Sequence, residues 1–194
     1  MGGRVLLVRH GETAWHAENR YAGSSDVELT GHGSAQAAAL AQHVVRTAEA
    51  PVAVHSSPLS RAVATAEPVA CALGLTVEVE PDLREAHFGI AEGRTLAELP
   101  HDVVARFRAD PVAGAFPGAE PPVDAAERAV TVIARIAERA ERAGGPALVV
   151  AHNTLLRLVL CRLLGIPLPA YRRTLPRLEN VAITENDDGA WHAR

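Results

Sequence analysis

Short apolar runs and amphipathic stretches alternate along this chain. Residues 5–8, 52–54 and 76–79 each read as strands, and residues 147–150 form a continuous apolar run of the kind buried on both faces of a sheet. Thr30 is placed as the N-cap of a helix reaching about residue 47, with Ala37, Leu40, Ala41, Val44 and Val45 at helical spacing. Pro58 opens a helix from about residue 59 to 73, and Gly74 stops it. A long helix is expected over about 124–142, with Val130, Ile133, Ile136, Ala137 and Ala140 on one face, and another over 155–164. A last strand is expected over about 180–184, with an edge strand near Trp191. Residues 96–122 are less regular: a short helix near 103–108, then a Pro/Gly-rich loop over 110–122. The alternation predicts an α/β fold, with a mostly parallel central sheet and helices on both faces.

The 194 residues fit one domain with a sizeable core, residues 1–194, carrying a substrate-shaping insertion at about 94–122. No apolar run approaches the ~20 residues that span a bilayer, and the first residues lack the layout of a secretory leader. A cytoplasmic protein with no membrane partner is therefore expected. The net charge of −4 argues against a broad nucleic-acid surface. All 19 basic residues are Arg. The lack of lysine excludes a Walker-type phosphate loop and Schiff-base chemistry. Cys71 and Cys161 lie in apolar helical stretches and are expected as buried reduced thiols. No paired-Cys or His-Glu-x-x-His spacing suggests a metal, and no cofactor is expected. Nothing in the sequence decides for or against a homodimer.

Four charged or titratable positions stand just past an apolar strand or at a helix start. Arg9-His10-Gly11 follows the first strand, where open α/β sheets bind ligands. Gly11 permits a sharp turn, an Arg fork suits phosphate or carboxylate, and an adjacent imidazole can attack or shuttle protons. Arg61 falls in the first turn of its helix, where the macrodipole disfavours a cation unless an anion is present. His152 ends the apolar run 147–151 and precedes a helix whose N–H groups favour anions. Glu85 sits in a loop after the third strand, and its claim rests on the pattern around it.

Arg9-His10-Gly11-Glu12-Thr13-x-Trp15 with Asn19-Arg20-Tyr21-x-Gly23, then Ser56-Ser57-Pro58-Leu59-x-Arg61-Ala62-x-x-Thr65-Ala66, Leu83-Arg84-Glu85-x-x-Phe88-Gly89-x-x-Glu92-Gly93 and Val149-Val150-Ala151-His152, resemble in order the motifs of the histidine phosphatase superfamily, in its phosphoglycerate mutase-like branch. The resemblance implies a three-layer α/β/α sandwich. It implies that His10 attacks phosphorus, that Arg9, Arg61 and His152 hold the nonbridging oxygens, and that Glu85 protonates the leaving oxygen and then activates water. It implies no metal. His16, Tyr21, Ala22, Gly23 and Asn153 are expected to bind phosphate or substrate. Three of them depart from the family pattern: His16 stands where Asn is usual, Asn153 where Gly is usual, and Ala22 where mutases carry a hydroxyl.

The expected activity is hydrolysis of a small-molecule phosphate monoester through a phosphohistidine. A cofactor-dependent phosphoglycerate mutase is the alternative, since Arg94, Arg106 and Arg108 lie in the insertion and could hold a carboxylate. A phospholigand-binding protein without turnover is a third reading. Tyr21, His87, Phe88, Asn153 and the loop 110–122 are expected to shape the leaving-group pocket.

Overall fold

The computed structural model describes residues 3–47, 49–187 and 190–193. Six strands, β1 (Val5–Arg9), β2 (Ala53–Ser56), β3 (Val77–Val79), β4 (Ala147–Ala151), β5 (Ile183–Asp187) and β6 (Ala190–Ala193), form one sheet in the order β3-β2-β4-β1-β5-β6. The first four are parallel; β5 pairs antiparallel with β1, and β6 antiparallel with β5. β1 and β4 are buried along their whole length, which explains their continuous apolar sequence.

Side chains of alternate residues feed two cores. Val5 and Leu7 of β1, with Ala147 and Val149 of β4, pack under α5 (Pro122–Ala143) and α6 (Asn153–Leu164). Leu6, Val8, Leu148 and Val150 pack on the other face under α2 (Gly31–Val44) and α3 (Ser60–Leu73). The result is the expected α/β/α sandwich. α2 starts at Thr30, whose hydroxyl accepts from Gly33 N–H, and α3 ends at Gly74 in the left-handed region. Among the described residues the remaining α-helices are α1 (Ala14–Glu18), α4 (His101–Ala109) and α7 (Tyr171–Thr174).

Two expectations needed correction. The strand expected at 180–184 begins at Ile183, because Val181 sits at φ 55° and gives its N–H to Arg9 C=O, so the chain turns there before pairing with β1. Cys161 is buried as expected, but Cys71 is exposed on α3.

The sheet order positions the site. β2, β4 and β1 are neighbours, so their C-terminal ends bring Ser57, His152 and His10 side by side. The chain leaves β1 for α2 on one face and leaves β4 for α6 on the other. A crevice opens where such connections diverge. Gly11 packs tightly in this turn: a Cβ there would stand 2.7 Å from Gly33 C=O at the start of α2.

Candidate active site

A cleft of about 340 Å³ opens over the ends of β1 and β4. Arg9, His10, His16, Tyr21, Ala22, Glu85 and Asn153 all line it. Arg61 and His152 are not among the lining; both are fully buried, with the His152 ring against His10 and the Arg61 charge acting on it. Gly23 also lies outside the lining, with its C=O turned to Arg61.

His10 is fixed by its own turn. Its Nδ1 lies 2.7 Å from Gly11 C=O, so Nδ1–H donates there and Nε2 keeps its lone pair. Burial, followed by the Arg61 and Arg9 charges, pushes its pKa well below 6.5. His10 is therefore neutral at neutral pH. The His152 ring lies 5.1 Å away, centroid to centroid, and the His16 ring 5.7 Å. His152 Nε2 meets Ser57 Oγ at 2.7 Å, and Leu59 N–H donates to the same oxygen. Ser57's hydroxyl hydrogen can then go to Nε2, which leaves His152 Nδ1–H as a donor. Burial likewise holds the His152 pKa well below 6.5.

Arg61 explains its place in a helix's first turn. Its Nη1 donates to Ser25 C=O at 2.7 Å, and its Nη2 to Ala22 and Gly23 C=O at 3.1 and 2.9 Å. The guanidinium thus ties the loop 22–25 to α3. Replacement by Met should leave these carbonyls buried without a donor and cost about 2–4 kcal/mol of stability, read from the urea midpoint. An unchanged midpoint would show that the grip contributes little.

Arg9 Nη1 donates to Leu178 C=O at 2.6 Å, and burial, then Arg177, lowers its pKa to about 10. It remains charged at neutral pH. Three buried donors around His10 have no partner: Arg9 Nε, Arg61 Nε and His152 Nδ1. Buried polar groups in folded proteins are overwhelmingly satisfied, so such a group calls for an explanation.

Glu85 is held by the start of α6. Oε1 accepts from Ala86 and Leu155 N–H at 3.0 and 2.8 Å, and Oε2 from Thr154 N–H at 2.9 Å. These bonds favour the carboxylate, but burial outweighs them and raises the pKa. The N–H groups expected from sequence to face an anion at this helix start are therefore largely taken by Glu85.

His16 sits in α1, which was too short for periodicity to reveal. Its Nδ1 lies 3.0 Å from Thr13 N–H, while Arg9 Nη2 and Asn180 Nδ2 approach its Nε2. A neutral imidazole cannot accept at both nitrogens, so one of these contacts yields when another acceptor is present. Burial, then Arg9 and Arg177, holds its pKa at about 4. Asn153 does not present its side chain freely, since Oδ1 accepts from Leu178 N–H at 3.0 Å.

Phe88 lines the cleft, whereas Arg94, Arg106, Arg108, His87 and the loop 110–122 do not. Phe116 of that loop packs on the Tyr21 ring at 5.2 Å, a contact that supports the cleft wall. The cleft's additional cations are Arg20, Arg157, Arg172 and Arg177; Arg20 stands in the first motif read in the sequence, and the other three stand in none. Arg20 is paired with Glu18 and Glu98. Arg157 Nη2 donates to the C=O groups of Tyr171, Arg172 and Leu175. Arg172 lies over the Phe107 ring at 4.9 Å. Among the described residues neither Arg172 nor Arg177 has a carboxylate partner.

A buried neutral imidazole at a strand end, flanked by two guanidiniums and a carboxyl group of raised pKa, defines a site for phosphoryl transfer on an α/β/α scaffold. Residues 5–194 match the family model of the histidine phosphatase superfamily (branch 1), and the chain belongs to that family. Among curated relatives, "Probable phosphoglycerate mutase GpmB" of Escherichia fergusonii is 35% identical over 189 residues, covering 95% of this chain and 84% of the relative. The same-named protein of Yersinia pestis is 35% identical over 188 residues, with the same coverage. Among solved structures, a mycobacterial glucosyl-3-phosphoglycerate phosphatase with VO3 superposes with a TM-score of 0.84 at 30% identity, covering 98% of this chain and 97% of the other. Bacillus stearothermophilus YhfR superposes with a TM-score of 0.85 at 28% identity, covering 98% and 94%. These likenesses are consistent with a phosphoric monoester hydrolase. No helix among the described residues is long and apolar enough to cross a membrane.

Proposed function

We propose that this protein hydrolyses small phosphate monoesters through a phosphohistidine at His10, and that its preferred esters carry a second anionic group. The observation that carries the first half is the set of partnerless buried donors, Arg9 Nε, Arg61 Nε and His152 Nδ1, gathered around an imidazole that keeps a lone pair on Nε2. The oxygens of a phosphoryl group would satisfy them.

In the first step His10 Nε2 attacks phosphorus. The N–P bond forms as the ester P–O bond breaks, and the electron pair leaves on the ester oxygen. Glu85 gives that oxygen its proton, which the raised pKa makes available. In the second step water attacks the phosphohistidine, Glu85 takes the water's proton, and the N–P electrons return to His10. Arg9 and Arg61 hold the equatorial oxygens where charge spreads in transfer. As phosphate draws Arg9 away, His16 Nδ1 accepts from Thr13 N–H, and Nε2–H becomes a donor to phosphate. Guanidiniums and imidazoles supply the positive field, so no step requires a metal.

The second anion is argued from charge. The cleft presents five arginines against one carboxyl group, Glu85, that burial biases toward its neutral form, apart from the Arg20 ion pairs at its edge. After Arg9 serves the phosphate, Arg172 and Arg177 remain without a carboxylate partner. The mycobacterial structure is of a glucosyl-3-phosphoglycerate phosphatase, and a substrate of that kind fits such a cleft.

The mutase reading draws on the names of the curated relatives. Phosphate release from a phosphorylated hydroxy acid, without interconversion of phosphoglycerates when a bisphosphate primer is supplied, decides for hydrolysis; primer-dependent interconversion decides for the mutase. For the second anion, kcat/KM for a phosphorylated hydroxy acid is compared with that for its uncharged alcohol counterpart. Replacing both Arg172 and Arg177 by Ala should reduce that ratio roughly tenfold, equivalent to about 1.4 kcal/mol. An unchanged ratio would remove the two arginines from substrate selection.

A further inference from the structure

Away from the cleft, on the α5 side of the sheet, β2 and β3 place three potential metal ligands together. His55 of β2 pairs in register with Glu78 of β3, and Glu80 follows two residues later. One ring nitrogen of His55 and one carboxylate oxygen from each Glu lie within 4.8 Å of one another. The His55 side chain is 1% exposed, and its Nδ1 has no hydrogen-bond partner. That nitrogen stands 3.6 Å from Glu80 Oε1, too far for a hydrogen bond.

We propose that His55, Glu78 and Glu80 bind a divalent first-row transition metal, Zn²⁺ foremost, as a structural clamp between β2 and β3. The separation suits the ion. Ligand bonds of about 2.0–2.2 Å at tetrahedral angles put two ligand atoms roughly 3.3–3.6 Å apart, which is the His55–Glu80 spacing found. One imidazole and two carboxylates form a mixed N/O set that suits zinc or manganese better than calcium or magnesium. Glu78 is half exposed and can close the remaining gap, and solvent can supply a fourth ligand.

Two cations compete for the carboxylates. Arg135 and Arg139, one helical turn apart on α5, pair with Glu80 Oε2 and with Glu78. Arg135 leaves Glu80 Oε1 to face His55. Both arginines are about half exposed; the Arg139–Glu78 pair is exposed on both sides and so of the weak kind, while Arg135 holds only Oε2 of the more buried Glu80. They can swing to solvent, or keep one oxygen while the metal takes the other. Burial lowers the His55 pKa, and a neutral ring is the form a metal binds.

The clamp would lie upstream of the chemistry on both strands. His55 is two residues before Ser57, which touches His152, and Glu80 is five residues before Glu85. Nothing in the sequence pattern marks this set, because its members are 23 and 25 residues apart and meet only through strand pairing.

The test uses chelator-treated full-length protein titrated with Zn²⁺, followed by calorimetry and thermal unfolding. One zinc per chain is expected, with a rise in Tm of roughly 5–10 °C at about 100-fold excess over Kd. Glu78→Gln and Glu80→Gln alter partly exposed positions and should fold without metal. Each should weaken zinc binding by at least about tenfold, since even an outer-shell partner is worth about 10–100-fold. His10→Ala and His16→Ala probe the histidines of the cleft and should leave the shift in place. No binding, a shift that survives both Gln substitutions, or one lost only in the cleft variants would each overturn the assignment. Because the readout is binding and stability, it stands or falls independently of the phosphatase reading.

Discussion

Replacing His10 by alanine is expected to lower phosphate release by roughly 10⁴–10⁶-fold, leaving only what binding and charge stabilisation supply without the covalent route. The reason is local. Nδ1–H is committed to Gly11 C=O, so Nε2 carries the only lone pair the ring can offer, and His10 lines the cleft together with Arg9 and His16. No other ring can substitute in place. His152 Nε2 is engaged by Ser57 and its ring is fully buried, while His16 is pinned between Thr13 and Arg9. The variant should still fold, because the lost side chain makes one hydrogen bond, to its own neighbour. Retained structure is checked by the urea midpoint, and the covalent role by rapid quench with labelled substrate, which should trap a phosphoenzyme in the parent and none in the variant. Phosphate release at the parental rate from His10→Ala would remove His10 as the nucleophile.

The pH dependence of kcat/KM follows from the same environment. A histidine nucleophile is lost by protonation as pH falls through its pKa. Here the His10 pKa lies well below 6.5, because burial and two guanidiniums disfavour the imidazolium. The acid limb should therefore stand clearly below the range of an ordinary histidine, with no decline between pH 7 and 6.5. His16, at about 4, adds no titration in that window either. The departure at His16 therefore changes the donor offered to phosphate while adding no charge switch near neutrality.

How far the sequence revealed this site depends on the kind of interaction. Strands β1 and β4 were legible because a strand covered on both faces needs an unbroken apolar run, and the flanking helices because one stripe of each meets the sheet. Arg9, His10, Arg61, Glu85 and His152 were legible as motif positions. Their division of labour was not. The placement of His152 between Ser57 and His10 follows from β2, β4 and β1 being adjacent, which only strand pairing determines. Arg61's grip on loop 22–25 and Glu85's hold on the start of α6 join segments 36–39 and 69–70 residues apart. No periodicity carries such information. The cationic rim was misplaced for the same reason. The insertion 94–122 held the conspicuous arginines, yet the segment around α7 folds back over Arg9 through Leu178 and Val181 and brings Arg172 and Arg177 to the cleft.

Replacing Glu85 by glutamine is expected to lower steady-state hydrolysis of alkyl phosphates by roughly 10²–10⁴-fold, the usual worth of a placed acid–base group. The substitution also carries a structural cost that must be separated from the chemical one. Glu85 Oε1 and Oε2 accept three backbone N–H groups. Glutamine has one oxygen, and its amide nitrogen would face a donor at Thr154 or at Leu155, so stability should fall by about 1–3 kcal/mol. Leaving-group chemistry makes the separation. An alkyl oxygen departs only with a proton, so the variant should show no burst with alkyl phosphates. A p-nitrophenolate departs unaided, so His10 should still be phosphorylated rapidly by p-nitrophenyl phosphate. Hydrolysis of that phosphoenzyme needs a base and should then be slow, giving a burst of one product per enzyme followed by a low steady rate. The sign with pH agrees: Glu85 can protonate only below its raised pKa, so the parent's rate on alkyl phosphates should fall as pH rises through it, and this limb should vanish in the variant. Misfolding alone would lower burst and steady state together for both substrates, and that result would withdraw the acid–base role from Glu85.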